Sequence, residues 1–497
     1  VGKPPRLDFN VSRGFSPMAL SQASAATAST GTTLSNKFPN QIKYIVGNEI
    51  CERFSFYGMK AILVVFMTDY LMKSNADAKT DYHLFVQWCY FLPLLGGWLA
   101  DKYLGKYKTI VGLSLVYCVG HLFLALFENQ PAGFAMGLGL IALGAGGIKP
   151  CVSAHVGDQF NDSNKHLLDR IFSIFYFSIN FGAFFSTLLT PVLLKAYGPS
   201  VAFGVPGGLM LLATIVFMMG KKHFVHVPPT GSNGPAGYLT VLFYSLRNLK
   251  SRKPGQDFFD IGLSKYSRQE VEAVKAAHGI FKVFAAVTVF WALFDQQGSS
   301  WTLQAKQMDL NFLGMELDPS QIQALNPIMV MGLIPLFTGV IYPLVERIGI
   351  RVTPLRKMAV GMILCAAAFS MVGLIQVALD NGQKLSVGWQ ILPYLVITVS
   401  EVMVSITGLE FAYTQAPRSM KSTIMSFWLL TVAFGNMLAA VVSQLNVFTG
   451  AGEFFFFTGL MVAISIVFVA AAMGYQVRDF VETSDENEVL AAATQST

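Results

Sequence analysis

The sequence predicts an all-α membrane protein of twelve transmembrane helices arranged as two six-helix bundles. Three observations carry that prediction. Hydrophobic residues make up 53% of the chain and charged residues only 13%, against roughly 25% charged in a soluble protein, and the mean hydropathy is +0.51. Apolar runs of about 20 residues, the length that crosses a bilayer as a helix, recur along nearly the whole chain. Lys and Arg gather in alternate connecting segments, which gives the chain a direction across the membrane.

Residues 1–40 are polar and rich in Ser, Ala and Thr, the composition of a cytosolic segment without a packed core. No cleavable-signal pattern precedes the first apolar run, which reads as a retained helix. Spans are expected at about 41–70, 82–100, 107–127, 133–156, 168–192 and 199–220, a first bundle over 41–220. Residues 221–277, with Pro, Gly, Lys and Arg clusters, form a cytosolic linker. Its one apolar run, GYLTVLFYSLRNL, is too short and too close to charge for a span, and reads as an amphipathic helix at the membrane surface. Six further spans, at about 278–300, 323–346, 354–379, 388–412, 421–446 and 454–476, make a second bundle over 278–476, followed by a cytosolic tail at 477–497. Two bundles joined by such a linker place a binding site at the interface between halves.

With both termini inside, the outer loops hold only Lys73, Lys79, Lys195, Lys306 and Lys384 of the 35 Lys and Arg residues. The formal net charge of +6 therefore belongs to cytosolic loops and implies no nucleic-acid partner. Cys51, Cys89, Cys118, Cys151 and Cys365 are dispersed through apolar spans, which fits free packing thiols better than a disulfide framework or a zinc site. No catalytic dyad or metal cluster emerges, so the chain does not read as an enzyme.

The first span breaks the apolar rule. GNEICERFSFYGMKAILVVF places Glu49, Glu52, Arg53 and Lys60 at a depth where ionisable groups are too costly to be incidental. The helical period puts Glu49, Arg53, Phe56 and Lys60 on one face with Glu52 beside it, aimed at a common interior cavity, which is the signature of a transport site. Lys149 follows a glycine-rich stretch in GLGLIALGAGGIKPCVSAHVGDQF, and Glu49 and Glu52 are its expected partners. In the second half, FWALFDQQGSSWTLQA sets Trp291 and Asp295 one turn apart, and Glu401 lies in an apolar span without a basic residue of its own, so an external cation is an attractive mate. Asn180, in FYFSINFGAF, is an amide that needs a partner.

The motifs ERFSFYG, GGWLADKYLGKYKTI, GAGGIKPCVSAHVGDQF, FSIFYFSINFGAFFS, FWALFDQQGSSWTLQA and GLEFAYTQAP, in this order over about residues 40–476, resemble the proton-dependent oligopeptide transporter family of the major facilitator superfamily. The resemblance implies the major facilitator fold and proton-coupled symport of di- and tripeptides into the cytoplasm by alternating access. It implies that Glu49, Glu52, Arg53, His83, Lys149 and Asp295 take part in proton coupling. It implies that Arg53, Tyr57, Lys60, Tyr90, Asn180, Trp291, Glu401 and Trp428 bind peptide, with Glu401 receiving the amino terminus and Lys60 drawing the carboxylate.

The chain departs from the family pattern at several points. It lacks the large extracellular insertion that animal relatives carry between spans nine and ten, and the two additional helices that many bacterial relatives carry between the halves. Its first helix also differs at two positions. The tyrosine pair of the first helix reads Phe56 and Tyr57, one hydroxyl fewer, and Lys60 stands where an arginine is common, giving a point charge without a bidentate fork. The alternative is proton-coupled transport of nitrate or another small anion, against which the carboxylate of Glu401 speaks. No cofactor is expected beyond the proton as coupling ion. The expected partners are peptides, protons and membrane lipids, the expected functional unit is a monomer, and the expected location is a bacterial inner membrane or other cell membrane.

Overall fold

The computed structural model describes residues 37–161, 163–229 and 237–475. Nearly all of the segment 1–40, and all of the tail 477–497, lie outside the described residues. The architecture is all-α apart from one two-stranded hairpin, β1 (Asn311–Phe312) with β2 (Met315–Glu316).

In the first half, α1 (Ile42–Asp69) is followed by α2 (Asn75–Phe91) and α3 (Pro93–Leu99), which runs into a π-helical turn at Ala100–Leu104. Then come α4 (Lys106–Leu126), α5 (Pro131–Asp158), α6 (Leu168–Tyr197) and α7 (Pro199–Met219). A short α8 (Tyr238–Arg247) lies between the halves. The second half begins with α9 (Arg268–Ala285), α10 (Val287–Phe294), a 3-10 turn at Asp295–Gly298 and α11 (Ser300–Ala305). It continues with α12 (Leu325–Leu336), α13 (Tyr342–Arg347), α14 (Pro354–Asp380), α15 (Ile391–Glu401), a π-helical turn at Val402–Ile406, α16 (Thr407–Gln415), α17 (Lys421–Leu445) and α18 (Ala451–Met473).

Taking consecutive helical pieces together, ten helical stretches among the described residues are long and apolar enough to cross a membrane. The stretches 42–69 and 75–104 are not among them, although spans are expected there. Charge is the reason in the first case, because Glu49, Glu52, Arg53 and Lys60 dilute its hydropathy.

Helix ends follow local chemistry more closely than hydropathy does. The Ser74 hydroxyl accepts from the Asp77 backbone N–H and starts α2 well before residue 82, where the apolar run begins. Ser267 and Glu270 form a reciprocal capping box, so α9 starts at Arg268 and not at 278. Its first turns are polar and extend the seventh span beyond the apolar stretch. The run 237–249 does contain a helix, α8, which buries Tyr238, Val241 and Ser245 on one face and leaves Leu239, Phe243 and Leu246 exposed on the other.

Buried apolar side chains fall into two large clusters divided at the linker. One draws on residues 42–224 together with Leu303, the other on residues 238–468. Within each, glycines let helices touch. A Cβ on Gly96 of α3 would collide with the Gly147 backbone of α5, and one on Gly435 of α17 would come 2.5 Å from the Thr288 carbonyl and 2.9 Å from Trp291 Cβ. The second approach holds Trp291 at the interior.

Candidate functional site

The charged face of α1 is buried as the helical period requires. Glu52 is 0% exposed, Glu49 4% and Arg53 7%. Arg53 Nε lies 2.9 Å from Glu49 Oε1 and 2.5 Å from Glu52 Oε2, so one guanidinium serves both carboxylates. Both contacts are ion pairs by distance, for neither Glu52 oxygen nor Arg53 Nε has a hydrogen-bond partner among the described residues. Gly182 of α6 allows the close approach that packs this turn, with Arg53 Cβ at 3.4 Å from where its own Cβ would stand.

Lys149 corrects an expectation, for it pairs with neither Glu49 nor Glu52. Its ammonium makes no hydrogen bond and sits over the rings of Tyr90, 4.0 Å to the centroid, and Phe56, 4.7 Å. Arg53 already holds both carboxylates, and two electron-rich ring faces give the second cation an alternative seat. Tyr90 is thereby joined to the cluster through the lysine.

Lys60 reaches across to the second half. Its Nζ donates to Asp295 Oδ1 at 3.1 Å and lies 5.6 Å from the Tyr82 ring centroid. Asp295 caps the C-terminal end of α10, and its other oxygen accepts from Asn436 Nδ2 at 2.7 Å. Asn436 Oδ1 is 2.9 Å from His83 Nδ1, and His83 Nε2 is 2.8 Å from Ser299 Oγ. Lys60, Asp295, Asn436, His83 and Ser299 thus form one continuous polar chain across the interface, with His83 fully buried in its middle.

Glu401 ends α15, where the helix passes into a π-helical turn, an irregularity that recurs at functional sites. Its carboxylate accepts from Asn326 Nδ2 at 2.7 Å and has no basic partner among the described residues. Tyr57 lies within electrostatic reach of Arg53 and Lys60 on its own helix and of Glu401 across the interface. Trp291 and Trp428 meet edge to face, 6.1 Å between centroids, and form an aromatic wall in the second half. Asn180 is satisfied within its own helix, donating to the Tyr176 carbonyl at 3.0 Å. Tyr176 in turn stands within electrostatic reach of Glu401.

Several residues here went unread in the sequence. Asn326, Asn436, Ser299 and Tyr82 are polar side chains in apolar spans, as ordinary in type as many packing residues. Lys79 is a second correction. Expected in an outer loop, it is 8% exposed, and its Nζ contacts both oxygens of Glu453, at 2.7 and 2.5 Å. At the same end Lys306 pairs with Asp69, and Lys195 with Glu316 at 3.0 Å. Among the described residues, the groups of three or more His, Cys, Asp and Glu side chains that a metal would need are absent.

Buried and part-buried charge thus gathers on α1 and at Lys149 in the first half, and at Asp295 and Glu401, beside two indoles, in the second. Comparison with known proteins points the same way. Residues 107–451 match the family model described as PTR2, the POT family. Solute carrier family 15 member 2 of Mus musculus is 30% identical over 684 aligned positions that cover 93% of each chain. The Homo sapiens protein of the same description is 40% identical over 423 positions, 80% of this chain and 58% of that one. The crystal structure of the POT family transporter PepTSo superposes with a TM-score of 0.83 at 42% identity, covering 89% of this chain and 99% of that one. That of an auto-inhibited POT family peptide transporter gives 0.83 at 40% identity over the same shares. A multi-pass membrane carrier and not an enzyme, the chain belongs to the POT family, within the major facilitator superfamily.

Proposed function

We propose that the cluster on α1 and the polar chain through His83 run the protein's proton-coupled symport of di- and tripeptides, with the peptide lying between two six-helix halves. The reading is carried by the buried and part-buried charges themselves: Arg53 and Lys60 in the first half, and in the second Glu401, whose carboxylate is held by the Asn326 amide and by no cation among the described residues. A zwitterionic peptide placed with its ammonium at Glu401 and its carboxylate at Arg53 and Lys60 satisfies both walls. The rings of Tyr57, Tyr90, Trp291 and Trp428 and the amide of Asn180 line the space between and tolerate varied side chains.

Coupling follows from competition. Both cations already hold acids: Arg53 is engaged by Glu49 and Glu52, and Lys60 by Asp295. A peptide carboxylate can take a cation only if the displaced acid is neutralised, and a proton on Glu52 or Asp295 does that. Lys149 adds positive field, and His83 links Asp295 to the packing of the halves. Twelve spans in two bundles fit the two buried clusters, with 42–69 and 75–104 as the polar spans that face the interior. A monomer suffices, because one chain supplies both walls. A bacterial inner membrane or other cell membrane is the proposed location, for which the short connection between Asp380 and Val387 speaks.

The test is uptake of labelled dialanine into proteoliposomes under an inward proton gradient, with N-acetyl-dialanine as competitor. Accumulation abolished by a protonophore is expected. Glu401→Gln should lose its preference for the free amino group, worth about 10–100-fold in apparent affinity for one buried charge pair. Nitrate uptake without dialanine uptake would replace this reading with small-anion transport.

A further inference from the structure

The outer ends of the halves are held by a contact that the peptide and proton sites do not require. Lys79 on α2 and Glu453 at the start of α18 belong to different halves, both 8% exposed, and lie 374 positions apart in sequence. Glu453 Oε1 also accepts from Ser300 Oγ at 3.1 Å. Ser300 follows Ser299, the hydroxyl paired with His83 Nε2. On α2 the same geometry repeats, since Lys79 stands one turn before His83 and Thr80 donates to the Ala440 carbonyl of α17 at 3.5 Å. One turn of α2 therefore meets one turn after α10, with the ion pair and the histidine as adjacent rungs.

We infer that Lys79 and Glu453 form a latch of the outer gate, closed when peptide and proton face the cytosol and broken whenever the site opens outward. A buried ion pair gains little net stability for a fold that keeps it permanently, because desolvation offsets attraction. It is strongly directional between two rigid bodies, since removing either partner leaves a charge buried alone. Separation of α2 from α18 sends both groups into water, so the pair weights the closed state only. Through Ser300 and Ser299 the latch moves with the rung that holds His83, and opening one loosens the other.

This inference rests on the transport reading, and its test separates the two. Nitroxides at positions 72 and 313, which are 80% and 83% exposed on opposite halves, report outer-gate distance in a background with the five native cysteines replaced. Glu453→Gln and Lys79→Gln are each expected to raise the ratio of open to closed outer gate about 100-fold or more, as loss of one partner from a buried pair demands. The exchanged pair, Lys79→Glu with Glu453→Lys, should restore the distance distribution. Unchanged distances in both single variants, or an exchanged pair as displaced as either single variant, would overturn the latch. Should the wild type fail to take up dialanine, the transport reading falls while the distances still decide the latch.

Discussion

Asp295→Asn isolates the Lys60 ion pair with little change of shape. The asparagine retains an oxygen for Asn436 Nδ2, which now lies 2.7 Å from Oδ2, but Lys60 loses the carboxylate it is paired with. The two side chains are 13% and 8% exposed. Stranding one member of a buried pair costs about 3–5 kcal/mol, and the contact of Lys60 with the Tyr82 ring recovers about 1 kcal/mol, leaving about 2–4 kcal/mol against the closed outer gate. That corresponds to a shift of about 30-fold to several-hundred-fold in the gate equilibrium. Single-molecule energy transfer between dyes on the outer ends of the halves measures it directly. Adding Lys60→Met removes the stranded cation, so the double variant should sit much closer to the wild type than Asp295→Asn alone, with a coupling of about 2 kcal/mol or more in the cycle. Additive effects of the two substitutions would refute the view that this pair holds the gate.

Two further outcomes follow from contacts elsewhere in the site. Tyr90→Phe keeps the ring beneath the Lys149 ammonium and should leave dialanine uptake within about threefold, whereas Tyr90→Leu removes it and should lower uptake about tenfold, the worth of a desolvated cation–π contact. Gly96→Val drives a side chain into the Gly147 backbone, which cannot yield; thermal denaturation in detergent should show destabilisation of about 1–3 kcal/mol or more, while Gly139→Ala, with open space around it, should not.

The residues of the site were legible because they violate the rule of their surroundings. Glu49, Glu52, Arg53, Lys60, Asp295 and Glu401 stand in spans where charge is expensive, and sequence marks them without knowledge of neighbours. Their pairings were not legible. Lys60 and Asp295 are 235 positions apart, and nothing local says that the lysine meets this acid and not Glu401. Opposite charge makes the acids of the first helix, Glu49 and Glu52, the obvious partners of Lys149, yet one arginine can occupy two carboxylates and free the lysine to rest on Tyr90 and Phe56. Lys79 was assigned to a loop because the apolar run begins at residue 82. The capping serine at 74 and the box formed by Ser267 and Glu270 carried the true helix starts, in local signals that hydropathy ignores.

The short segment from Asp295 to Ser300 explains why so few substitutions should reach so far. It contacts Lys60 through Asp295, His83 through Ser299 and Glu453 through Ser300, and so meets the first half at its charged helix, at its buried histidine and, by way of Glu453, at Lys79. A ligand shifts a conformational equilibrium only by the difference in its affinity for the two states. In the proposed cycle a peptide carboxylate would have such a difference, because the lysine assigned to it is already paired with Asp295. Two carboxylates and one lysine leave an uncompensated buried charge, which the interior tolerates poorly. In that cycle a proton on Asp295 would remove that charge and release the lysine, so that peptide and proton would favour one another through a single element.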